Sequence, residues 1–248
     1  MRIARILPGF ILLLIVGFGA GAQTMLVDRF TKVIVSPYVQ VVFEQGESES
    51  VTINGMLVDS SKLHVEVHNK TLRIYLDGAK DLPKYEKTYN DHGGRETTRL
   101  YPNHAVIATV RYRTLKALSL RGEETQLCQS PLTANKFSLW VYGDSKVIFT
   151  EMHVRQLRAV IYGDGSVDVK SGKAEMQRFT AYGDGKINTT AISGRSGKVT
   201  SFGESEFSLN VSDRIKITAF GEAKVRYMGN PDIVKGIHIG EMDVRKID

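Results

Sequence analysis

The sequence predicts an all-β protein wound as a parallel β-helix, or β-solenoid, with coils of about 20 residues and a strand-rich N-terminal region. Three observations predict it. First, a short unit recurs: Leu139-Trp140-Val141-Tyr142-Gly143-Asp144 aligns with Val160-Ile161-Tyr162-Gly163-Asp164-Gly165 and with Thr180-Ala181-Tyr182-Gly183-Asp184-Gly185. Ser201-Phe202-Gly203-Glu204 and Ala219-Phe220-Gly221-Glu222 continue the series, and Gly122-Glu123 is an earlier, weaker copy. The glycines at 122, 143, 163, 183, 203 and 221 are separated by 21, 20, 20, 20 and 18 residues. Second, apolar residues alternate with polar ones on both sides of each glycine, as in Leu139 and Val141 before it and Val147 and Phe149 after it. Third, the spacing of three and four that marks a helix face is missing.

The elements follow in chain order. Arg2 and Arg5 precede the apolar stretch Ile6–Gly19, and Ala20-Gly21-Ala22 has the form of a small-residue cleavage site. Residues 1–22 are therefore expected to be a cleaved secretory signal peptide, leaving Gln23 first and a single domain over 23–248. The apolar stretch is short for a retained span of about 20 residues, and no later segment is apolar enough to be one. Export permits disulfides, but Cys128 is the sole cysteine, so no internal bridge forms and packing must supply stability. Cys128 itself sits in an alternating stretch and reads as a small buried hydrophobe.

Val33–Val35, Val39–Phe43 and Val51–Ile53 read as strands, and Leu63–Val67 and Leu72–Leu76 alternate around polar partners. Asn54-Gly55 and Asp77-Gly78 are turn signals. These strands are expected to form the first coils or to cap the solenoid. From 78 to 104 the alternation stops, and the segment reads as a long polar loop. Val106–Val110 resumes it. Beyond the last repeat, Asn230-Pro231, Gly236 and Gly240 break the chain into short pieces that could close the far end.

A strand with one narrow apolar face cannot bury that face alone. Stacked coils bury it, because like positions lie about 4.8 Å apart and share backbone hydrogen bonds. The recurrent glycine suits a corner with positive φ or close backbone approach. A β-sandwich also accommodates many short strands, but near-identical spacing favours the solenoid, and propeller blades of about 40 residues would be too few here.

The leader with its strand-rich opening from Phe30 to Leu76, the Tyr/Phe-Gly-Asp/Glu unit and the closing Gly229-Asn230-Pro231-Asp232-Ile233 with Gly236 together resemble the auto-transporter adhesin head GIN domain family. The resemblance covers essentially residues 27–247. It implies a right-handed solenoid and an envelope location, in the periplasm, at the outer membrane or on the cell surface. It implies adhesin-like binding and occurrence largely in Bacteroidota. It supplies no catalytic residue.

Net charge is +6, or +4 without Arg2 and Arg5, and no run of basic residues marks a nucleic-acid footprint. No nucleophile elbow, Walker loop, dinucleotide fingerprint or close cysteine pair is present, so the chain does not read as an enzyme, and no cofactor is expected apart from the calcium that the acidic row below could take. Candidate sites come from the repeat. Tyr142, Tyr162, Tyr182, Phe202 and Phe220, with Trp140 on the same outward face, form either a platform for a glycan or apolar partner or a packing row between coils. Asp144, Asp164, Asp184, Glu204 and Glu222 form either solvated corners or a row relieved by calcium, with Lys146, Lys186 and Lys224 nearby. Tyr89, His92, Arg95, Tyr101 and His104 are the loop candidates for a binding pocket. His64 and His68 lie about 13 Å apart on a strand, too far to share one metal.

Three functions remain open: a binding module for a glycan or an envelope or surface protein, a structural component of the envelope that pairs with another protein, and a carbohydrate-active β-helix enzyme.

Overall fold

The structure, a computed structural model, describes residues 23–82, 85–89 and 95–248. In chain order the strands are β1 (Gln23–Leu26), β2 (Lys32–Val35), β3 (Val39–Gln45), β4 (Ser50–Met56), β5 (Leu63–His68) and β6 (Thr71–Leu76). Then come β7 (Tyr85–Tyr89), β8 (Arg95–Arg99), β9 (Val106–Tyr112), β10 (Ala117–Gly122), β11 (Thr125–Cys128), β12 (Leu132–Gly143) and β13 (Lys146–Phe149). The chain continues through β14 (Met152–Tyr162), β15 (Ser166–Val169), β16 (Gly172–Tyr182), the long continuous β17 (Lys186–Met228), β18 (Asp232–Ile239) and β19 (Met242–Lys246). Among the described residues one 3-10 turn, Ser60–Lys62, is present, capped by the Asp59 side chain.

The strands stack into a β-solenoid of about 6 turns. Long strands pair in parallel from β10 through β12, β14 and β16 to β17. Short strands pair in parallel from β11 through β13 and β15 to β17. The register repeats the sequence alignment: Tyr142 lies opposite Tyr162, Tyr162 opposite Tyr182 and Tyr182 opposite Phe202. One coil is thus one repeat.

Burial follows the alternation. Leu139, Ala159, Phe179, Val199 and Ile217 form one inward row, and Val147, Val167, Ile187, Phe207 and Val225 form another; all are buried. Each apolar side chain taken from water contributes about 1.5–3 kcal/mol, and stacking repeats this gain on every coil. Row members differ in size, so that Phe179 lies opposite Ala159 and Val199. Buried polar residues interrupt the pattern at a few places, as where Thr189 donates to Gln177 Oε1 at 2.7 Å.

The N-terminal strands do both things expected of them. β2 and β3 continue the two parallel sheets beneath β10 and β11, and β6 and β9 continue them one layer further. The end is then closed by antiparallel strands, β5 on β6 and β4 on β9, with β1 on β4. Where the chain turns from β2 to β3, side chains replace missing backbone partners. Gln126 accepts from Val41 N at 2.7 Å and donates to Val39 O at 2.9 Å, and Glu124 accepts from Tyr38 N at 2.9 Å. Burial pushes the Glu124 carboxyl above the usual range, against the lowering effect of its backbone hydrogen bonds.

The 78–104 segment departs from the loop that its sequence predicts, because β7 and β8 pair as an antiparallel ribbon, Tyr85 opposite Arg99 and Tyr89 opposite Arg95. Tyr85-Glu86-Lys87-Thr88-Tyr89 and Arg95-Glu96-Thr97-Thr98-Arg99 carry no apolar alternation, and that is the signal by which a strand is read. Among the described residues, ion pairs tie this insertion to the solenoid. Arg99 pairs with Glu123 at 2.7 Å, and Asp81 bridges Arg73 and Arg121.

Candidate functional site

The corners and the sheet leading into them position the candidate residues. At Gly163 the backbone has φ +112, and a Cβ there would stand 2.9 Å from Gly143 O of the coil below. The glycine thus lets successive corners stack closely, holding the residues on either side in straight rows. A seventh copy, Ile239-Gly240-Glu241, extends the series: Ile239 lies opposite Phe220, and Gly240 has φ +103. The sequence reading missed it because isoleucine replaces the aromatic residue.

Immediately before the corners, Tyr142, Tyr162, Tyr182, Phe202 and Phe220 form a continuous stack. Centroids are 4.8 Å apart for both Tyr162–Tyr182 and Tyr182–Phe202, with rings 1° and 3° from parallel. Ring faces are therefore turned to one another and only edges and phenol hydroxyls face outward; Tyr162 and Tyr182 are each 40% exposed. A sugar cannot lie flat on an inner ring of this ladder. Arg121 covers its lower end, 5.4 Å from the Tyr142 centroid. Burial raises the Tyr162 phenol pKa; Tyr182 and Tyr142 add to this, and Arg158 opposes it. Trp140 is half-buried on the same face, opposite Ser119 and Val160.

Just past the corners, Asp144, Asp164, Asp184, Glu204 and Glu222 are all exposed. Asp184, Glu204 and Glu222 line a shallow groove together with Glu206, Lys186 and Lys224, so cations are interleaved with this row. Among the described residues, no three His, Cys, Asp or Glu side chains converge as a metal-holding group.

Tyr101 is 7% exposed; its hydroxyl donates to Asp77 O at 2.9 Å, and its ring meets Tyr38 edge-on. It anchors the insertion to the core. His104 is exposed with φ +53, Tyr89 is paired with Arg95 in the backbone register of the ribbon, and His92 lies outside the described residues. His64 is engaged locally, 2.5 Å from Asp77 and stacked on Tyr75.

One row escaped the sequence reading. Arg158, Arg178 and Lys198 are paired in register and exposed on the face that carries the aromatic ladder. Lys216 stands five residues before Gly221, as Lys198 stands five before Gly203. The signal was present, as a base at the same offset from four successive glycines.

No helix among the described residues is long and apolar enough to cross a membrane. Solved structures share this fold. A putative adhesin of Bacteroides fragilis NCTC 9343 is 18% identical with a TM-score of 0.76, covering 91% of this chain and 96% of its own. A putative adhesin of Parabacteroides distasonis ATCC 8503 is 19% identical with a TM-score of 0.63, over 92% and 98% of the two chains. A protein of the same organism described as a putative lipid binding protein is 17% identical with a TM-score of 0.65, over 92% and 98%. No curated protein matches the chain. The repeat, its corner geometry and a sequence model matching residues 29–231 agree: the chain belongs to the family described as "Putative auto-transporter adhesin, head GIN domain".

Proposed function

We propose that the chain is an exported envelope or surface protein that works as a binding module, presenting the sheet before the glycine corners to an extended partner. The observation that supports this most is the register. Each coil places the same kind of side chain at the same outward position, so one weak contact is repeated along the axis. Repetition of this kind turns weak contacts into avidity. Membership of a family described as adhesins supports the same reading, and a neighbour described as lipid binding adds a lipid to the candidate partners.

The test is protease accessibility of the native protein on intact cells, with lysed cells and a periplasmic marker as controls. Digestion on intact cells is expected for a surface module. Protection until lysis would place the protein in the periplasm and overturn a role in surface adhesion.

A second reading, assembly with another copy or another protein, is favoured by the far end of the solenoid. β18 and β19 pair only with β17 among the described residues, and Ile237 and Ile239 are 70% and 67% exposed. Such an edge is a template for further strand pairing. Light scattering on the purified protein tests self-association. A monomer at all concentrations would refute pairing between copies.

A further inference from the structure

Arg158, Arg178 and Lys198 are paired in register about 4.8 Å apart, and Lys216, four residues before Phe220 as Lys198 is before the stacked Phe202, holds the same place on the next coil. All four are exposed, and among the described residues none lies within ion-pair distance of a carboxylate. Like charges directly opposite on adjacent strands destabilise a sheet. The corner carboxylates meet the same difficulty, but Lys186 and Lys224 share their groove. Among the described residues the four members of the basic row have no such partner; the nearest acid in register is Asp232, opposite Arg214 at the margin. Lys136 and Arg214 add to it at its margin. The outward positions from there to the aromatic ladder, over five coils, contain no Asp or Glu.

We infer that this row is a binding site for a linear acidic polysaccharide lying along the solenoid axis, its carboxylates paired with the exposed bases. The inference rests on the reading of the chain as a binding module and names its ligand class. Charge and pitch both point to this ligand. In an extended polyuronate each sugar ring carries one carboxylate and advances by a distance comparable to the coil spacing of about 4.8 Å. Beside the row stand the half-buried Thr180, Thr200 and Thr218, and beyond them the outward edges of Tyr162 and Tyr182. These supply hydroxyl groups for sugar hydroxyls without requiring a ring face. A membrane surface fits less well, because Phe202 and Phe220 are held within the stack and do not project as wedges. A nucleic-acid duplex winds its phosphates away from a straight row.

The experiment measures binding of residues 23–248 to polygalacturonate at low salt, with dextran as the neutral chain and phosphatidylglycerol vesicles as the lipid arm. The row variant carries Arg158→Gln, Arg178→Gln, Lys198→Gln and Lys216→Gln. The control variant loses equal charge through Lys146→Gln, Lys170→Gln, Lys186→Gln and Lys224→Gln. The wild type is expected to bind polygalacturonate and not dextran. The row variant should bind about tenfold more weakly or worse, with the control close to wild type. Affinity should rise with oligogalacturonate length up to about the four sugars that span the row. Removing the repulsion should leave the row variant melting no lower than wild type, which separates lost binding from lost folding. Equal loss in the control would overturn the inference in favour of diffuse charge. Tighter binding to vesicles would overturn it in favour of a lipid surface. Binding to dextran alone would overturn it while leaving the binding-module reading intact. Failure in all three arms would also overturn it, and the broader reading falls only if cell-envelope preparations retain no protein either.

Discussion

Replacing Gly163 by alanine tests the stacking of corners most directly. Gly163 has φ +112, a region that L residues enter at a cost of about 1–3 kcal/mol. The new methyl carbon would also stand 2.9 Å from Gly143 O and 3.2 Å from Gly143 Cα. Both are backbone atoms, and hydrogen bonds in register hold that backbone in place, so the neighbour cannot yield as a side chain would. Overpacking of this kind costs about 1–3 kcal/mol, and the reduced freedom of the unfolded chain returns about 0.4–1 kcal/mol. The expected net loss is about 3 kcal/mol, or about 6–12 °C in Tm for a chain of this size. Gly46→Ala is the control: its added carbon would meet only ordinary contacts, Arg111 Cδ at 3.6 Å being nearest. It should change stability by no more than about 0.5 kcal/mol. Urea unfolding and calorimetry on both variants measure the difference. If Gly163→Ala costs no more than Gly46→Ala, the corners do not constrain the coil spacing and the account of the straight rows is wrong.

Gln126→Leu should cost about 2–4 kcal/mol in urea unfolding, because it strands Val41 N and Val39 O, two backbone groups that a buried side chain now satisfies. Cys128 is fully buried and burial pushes its thiol well above the ordinary range, so thiol reagents should leave it unmodified in the native protein and label it fully in denaturant. The hydrogen bond from Arg73 holds the Asp81 carboxyl below its ordinary value, with Arg121 adding to the effect and desolvation opposing it. A depressed folded pKa gives stability that is present above the unfolded value of about 3.9 and lost as pH falls through the folded one. The stability difference between wild type and Asp81→Asn should therefore be present at pH 7 and shrink below about pH 4, as thermal melts across pH would show.

The repeat length, the corner glycines and the inward rows were legible in the sequence, because period-two alternation and a fixed interval are local properties of the chain. Phe179 and Val225 declared their burial through their neighbours two positions away, and Tyr162-Gly163-Asp164 declared its corner. The ribbon formed by β7 and β8 was not legible, since strands with polar residues on both faces leave no alternation to read. Nor was the role of Gln126: its partners Val39 and Val41 are more than eighty residues away and meet it only where β3 and β11 become neighbours. The aromatic ladder divides between the two levels. The sequence determined that five rings occur at one outward position. Only the stacking of coils decided that they face each other, because strand spacing nearly equals the thickness at which rings pack, and this left edges rather than faces for a partner. The same spacing turned Arg158, Arg178, Lys198 and Lys216, scattered over nearly sixty residues, into a single line of charge.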